Sequence, residues 1–143
     1  MDKKRLPFTT KLCYGIGTLG YSSMSNTLGN FVMFFGTSIM GISGSLVGIA
    51  VAISSLWDGI SDPLVGHLSD NTRNKFFGRR LGYMLLGAIV IALCNVLIWA
   101  MPASAGQGVK FAWLLGMLLA IETACTFFST PYSALGIDIA PDF

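Results

Sequence analysis

Apolar residues run along this chain in four long blocks, dotted with small and polar positions but with few charges. The blocks fall at about residues 12–36, 45–68, 81–101 and 111–135. Each is near the roughly 20 residues that a bilayer-spanning helix needs. The connectors, residues 37–44, 69–80 and 102–110, gather Gly, Ser, Pro and Asn, as turn chemistry expects. The pattern predicts an all-α membrane protein of four transmembrane helices.

Charge orients that stack. Lys3, Lys4, Arg5 and Lys11 precede the first block, and Arg73, Lys75, Arg79 and Arg80 sit in the second connector. The first connector carries no Lys or Arg, and the third only Lys110. Positive residues mark cytoplasmic loops. The N-terminal tail and the second connector are therefore expected on the cytoplasmic side, and four spans return the C-terminal end, near Asp138 and Asp142, to that side. The chain is expected in the cell membrane as a multi-pass protein. Its composition agrees, being 53% hydrophobic and only 11% charged, where soluble domains run at about 25% charged. No basic stripe with interleaved aromatics supports nucleic-acid binding.

The first block differs from the others. Gly15, Gly17, Gly20, Ser22, Ser23, Ser25, Asn26, Gly29 and Asn30 make it small and polar. Two readings stand: close helix packing through small residues, or a polar face lining a water-filled cavity. Ser22 and Asn26 are the cavity candidates on this helix.

The second block carries two acids, in Trp57-Asp58-Gly59-Ile60-Ser61-Asp62-Pro63. An ionised Asp at the centre of a membrane helix costs on the order of 2.5–3.5 kcal/mol. The i, i+4 spacing puts the two Cβ atoms about 5–6 Å apart on one face. Two carboxylates so close repel unless a cation or proton joins them. Asp58 and Asp62 are thus candidate cation ligands; the structural alternative is bonding to polar neighbours or snorkelling. Pro63 removes a backbone donor and is expected to loosen the helix there.

Two further groups stand out. Gly66-His67-Leu68-Ser69-Asp70 closes the second block, and Gly78-Arg79-Arg80 opens the third. An acid and an Arg pair across a short loop form a candidate conformational latch, of Gly66, Asp70, Gly78, Arg79 and Arg80; topology signalling alone is the simpler reading. On the fourth block, Glu122, Thr126 and Ser129 share one helical face, with Pro131 and Tyr132 just beyond. Glu122, Ser129 and Tyr132 are cavity candidates, and Pro131 is expected to kink the helix. Cys13, Cys94 and Cys125 show no metal-ligand spacing and read as packing residues. No nucleophile–base pair, phosphate loop or metal cluster suggests an enzyme, and no cofactor is expected.

The chain resembles the N-terminal part of a glycoside–pentoside–hexuronide:cation symporter, the melibiose-permease-like branch of the major facilitator superfamily. The stretches that carry the resemblance are Tyr14-Gly15-Ile16-Gly17, Trp57 through Gly66, and Pro131-Tyr132-Ser133-Ala134-Leu135. The resemblance implies four helices of a facilitator-type bundle, with Asp58 and Asp62 binding the coupling cation and Thr126 assisting. The melibiose permease has a sugar-binding aspartate where this chain has Ser22, another aspartate where it has Ser129, and a tryptophan at Ser133; the cation site is thus expected to have one fewer carboxylate. Na⁺ and H⁺ therefore both stay open as the coupling ion. Superfamily transporters hold substrate between two halves of about six helices, so the remaining helices are expected as partners, beside the bilayer and a small-molecule solute. This segment alone is expected to be inactive. The cargo is a sugar, glycoside or related solute, or else an anionic or amphiphilic one such as a hexuronide or lysolipid. A four-helix membrane interaction protein without transport is the reading from a different class.

Overall fold

The structure, a computed structural model, describes residues 7–71 and 81–139. Four helices follow in order: α1 (Phe8–Phe34), α2 (Gly44–Asn71), α3 (Leu81–Trp99) and α4 (Gln107–Ile139). A five-residue π-helical turn, Phe35–Ile39, extends α1. The helices overrun most of the apolar blocks. The backbone ladder depends on hydrogen bonding, whereas hydropathy marks only the part suited to lipid. Thus α4 begins four residues before its block and ends four after it, and α2 runs on to Asn71. Only α3 is shorter than expected, stopping at Trp99 ahead of Pro102. Pro63 and Pro131 lie inside unbroken helices.

The first connector begins as the end of the π-helical turn. The Met40 amide donates to Phe35 O at 2.9 Å, and the Ile42 amide to Gly36 O at 2.8 Å. Gly41, at φ +64°, supplies the left-handed residue that ends the helix. The start of α4 holds this turn in place. Gln107 Nε2 donates to Gly41 O at 2.6 Å, and Lys110 Nζ to Met40 O at 2.7 Å. Lys110, isolated in the sequence, thus satisfies a carbonyl at the end of α1.

Helix α4 is the axis of the bundle, with α2 and α3 packed along it. At the α3–α4 crossing a Cβ on Gly87 would stand 2.8 Å from Ala124 O and 2.9 Å from Phe128 N. The two backbones meet there, the close approach small residues permit in membranes. The buried core gathers Leu28, Val32 and Phe35 with Val47, Ala50, Ile91, Ile98, Leu114, Leu118 and Ile121. It concentrates toward the end of the bundle that carries the Gly41 turn. Leu56, Leu64, Ile89, Leu93 and Val96 stay exposed on outer faces, as a lipid-facing surface requires.

Among the described residues three helical stretches are long and apolar enough to cross a membrane: Gly44–Leu68, Leu81–Trp99 and Gln107–Gly136. Helix α1 has the length, at 27 residues, but its serines, asparagines and glycines dilute its apolar character. It meets α4 through long side chains. The Tyr14 and Tyr132 rings stack with centroids 4.6 Å apart, and Tyr21 lies over Phe128 at 5.9 Å.

Candidate functional site

Asp58 lies midway along α2, half-buried, facing α4. One turn on, Ser61 is only 3% exposed, and across the α2–α4 contact Thr126 is 1% exposed. Hydroxyls buried in an apolar setting must find partners, and these two find each other. Ser61 Oγ and Thr126 Oγ1 are 3.1 Å apart. Ser61 Oγ also reaches Asp58 O at 3.2 Å. Thr126 Oγ1 is 3.0 Å from Glu122 O and 3.4 Å from Asp58 Oδ1.

The chemistry follows from counting protons. Each hydroxyl has one proton and two lone pairs. Thr126 has three acceptors within reach and can donate to only one at a time. It can donate to Asp58, or turn its proton to Glu122 O and offer a lone pair beside the carboxylate. The second arrangement presents carboxylate and hydroxyl oxygens together, a donor set suited to a hard cation.

Asp62, one turn beyond Asp58, is exposed. Glu122, half-buried on α4, stands within electrostatic range of both aspartates. It opens onto a cleft of about 290 Å³ between α1, α2 and α4, whose polar lining includes Ser25, Ser54 and Ser55. Sequence spacing alone left open where Glu122 stands relative to the pair; the fold puts it within electrostatic range. Among the described residues no three His, Cys, Asp or Glu side chains converge into a ready-made metal site.

The other candidates are dispersed. Ser129 lies beside the Tyr21 side chain, where α4 approaches α1. Tyr132 donates to Tyr14 O, and its hydroxyl is 3.4 Å from Thr18 Oγ1. Its ring is wedged between Tyr14 and Phe128 rather than standing free in a cavity. Asn26 is exposed, and its Nδ2 bonds back to Ser22 O at 2.8 Å; Asn30 repeats the pattern to Asn26 O. These amides satisfy themselves within α1, so the helix carries polar atoms without needing a neighbour. Gly66 sits near the C-terminal end of α2 beside Thr130, the two close enough that a Cβ there would lie 3.5 Å from Thr130 Cγ2. Asp70 belongs to α2, its side chain outside the description, while Gly78, Arg79 and Arg80 lie outside the described residues.

Three residues at the site escaped the sequence reading: Ser61, Trp57 and Thr123. Ser61 follows Asp58 by three positions, so helical spacing alone could have found it. Trp57 Nε1 donates to Thr123 Oγ1 at 2.8 Å; nothing in the sequence pairs residues so far apart. Cys125 is buried, Cys94 half-buried and Cys13 exposed, all three as free thiols.

Comparison with known proteins places this geometry in context. The family model described as MFS/sugar transport protein matches residues 13–143. The uncharacterized symporter sll1374 of Synechocystis sp. is 34% identical over 148 residues, covering 100% of this chain and 27% of that protein. Sodium-dependent lysophosphatidylcholine symporter 1-B of Danio rerio is 33% identical over 140 residues, covering 98% of this chain and 26% of that protein. The inner membrane symporter YicJ of Escherichia coli is 31% identical over 142 residues, covering 99% and 30% respectively. The chain thus spans less than a third of each of these relatives. No solved structure matches it.

Proposed function

The chain belongs to the MFS/sugar transport family, and from that premise we propose that it forms part of a cation-coupled symporter, with the coupling ion bound at Asp58. The observation that carries this reading is the meeting of Asp58 with Thr126 and Ser61 across α2 and α4. A carboxylate in a membrane helix is functional by default, and this one faces the Thr126 hydroxyl, itself in contact with Ser61, whose lone pairs can turn to a cation. Asp62 and Glu122 add negative charge in range, which raises the affinity for a cation. Na⁺ is the first candidate, since several relatives are named sodium-dependent; H⁺ is the alternative. Coupling follows if solute and ion each bind better in the presence of the other.

Asp58→Asn in the full-length protein tests this directly. It removes the charge and keeps the shape. Gradient-driven solute accumulation should fall by at least about 100-fold, the upper end of what disturbed ligand surroundings do to metal sites. Accumulation that persists in the variant rejects the coupling role.

The cargo divides into two readings. The family description favours a sugar. Relatives named for lysophosphatidylcholine favour an amphiphile, and the exposed apolar groove of about 370 Å³ beside Trp57, between α2, α3 and α4, is compatible with an acyl chain. Competition binding with neutral glycosides, hexuronides and lysolipids separates them; exclusive binding of neutral glycosides eliminates the amphiphile.

A further inference from the structure

Trp57 stands next to Asp58 in the chain, and Thr123 stands next to Glu122. We propose that Trp57 and Thr123 are a positioning pair for the cation site, setting the rotation of α2 against α4 so that Asp58 faces Thr126. The proposal rests on reading Asp58 and Thr126 as that site.

Three observations support it. First, the tie is directional. Thr123 Oγ1 gives its one proton to Leu119 O at 2.7 Å, which leaves its lone pairs for the indole N–H at 2.8 Å. Second, the tie lies against the apolar groove that Leu86, Val90, Ala120 and Phe127 help to line. Trp57 is 41% exposed, and with no water in a bilayer core its N–H has strong reason to keep its one partner.

Third, the geometry fixes a rotation. Successive helix residues project about 100° apart. Contacts through Trp57 and Asp58 therefore touch α4 at two different azimuths, at Thr123 and Thr126. A single contact would allow α2 to roll about it; two do not. A roll of about 20° carries a side chain tip, about 5 Å from the helix axis, through roughly 1.7 Å. That exceeds the about 0.5 Å within which binding groups must be held.

The test is a calorimetric titration of purified full-length protein with NaCl, at constant ionic strength maintained with choline chloride. Trp57→Phe and Thr123→Val should each raise the half-saturating Na⁺ concentration roughly three- to tenfold, with the number of sites unchanged. The double variant should be no weaker than either single one, to within about twofold, because both remove the same bond. Thr123→Ser, which keeps the hydroxyl, should return affinity to within about twofold of the unaltered protein. A merely structural role would lower the number of binding-competent molecules and leave the remaining affinity intact. Asp58→Asn is the companion measurement. No Na⁺ binding by the unaltered protein, or binding that survives Asp58→Asn, overturns the reading of Asp58 as a Na⁺ site, on which the positioning pair rests. Binding lost in Asp58→Asn but unshifted in Trp57→Phe and Thr123→Val overturns the positioning pair alone.

Discussion

Helix α4 meets α3 and α1 in opposite ways. Against α3 the backbones touch: Gly87 has no room for even a methyl group, because Ala124 O and Phe128 N stand where it would go. Against α1 the contact runs through rings, Tyr14 on Tyr132 and Tyr21 on Phe128. Backbone contact specifies one separation and one crossing, and any change must move whole helices. Stacked rings tolerate sliding, since aromatic pairs hold over centroid distances of about 4.5–7 Å. The tight side of α4 is apolar. The looser side opens the cleft that Glu122 faces, lined by Ser25, Ser54 and Ser55. The candidate cation site sits at the edge between the two regimes, where α2 packs on α4 but still borders the cleft. A helix that must respond to a bound ion gains from one fixed neighbour and one adjustable one.

Substitutions on the two sides of α4 test that difference. The largest effect is expected at the tight contact. Gly87→Leu should destabilise the protein by about 2–3 kcal/mol, since neither neighbouring backbone group can yield; thermal unfolding in detergent measures it. Gly29→Ala, at the cleft, meets nothing within 4 Å and should stay within about 0.5 kcal/mol. Equal damage from both would erase the distinction between the two sides.

At the edge between them, Thr126→Val keeps the volume and removes the hydroxyl. Half-saturating Na⁺ should rise about tenfold, with Thr126→Ser recovering most of it. An unchanged Na⁺ titration would take Thr126 out of the site and return it to packing.

A modest effect belongs to the ring contact. Tyr132→Phe loses the bond to Tyr14 O while keeping both stacks. Its cost should be at most about 1 kcal/mol in thermal unfolding. A loss matching that of Gly87→Leu would show the α1 side to be as rigid as the α3 side.

Much of this was legible along the chain. The apolar blocks gave the four helices because burying backbone hydrogen bonds in lipid leaves helix as the local solution. The ends were less legible, since Gln107 and Lys110 extend α4 for a tertiary purpose, capping the Gly41 turn. Asp58, Asp62 and Thr126 were readable from composition and resemblance, and Asp58 and Thr126 do meet. Tyr132 was read as a cavity residue, and the structure packs it against Tyr14.

The order of residues along the chain therefore encodes what one helix can carry. Spacing put Asp58 and Asp62 on one face and Glu122 and Thr126 on another, and hydropathy chose the helices. Which of those faces meet was decided only by the tertiary structure. Glu122 in range of the aspartates, Ser61 against Thr126, and Trp57 bound to Thr123 all join residues 60 or more positions apart. Such pairings depend on how α2 is rotated against α4. That angle is set by packing over the whole contact, which no local pattern along either helix contains.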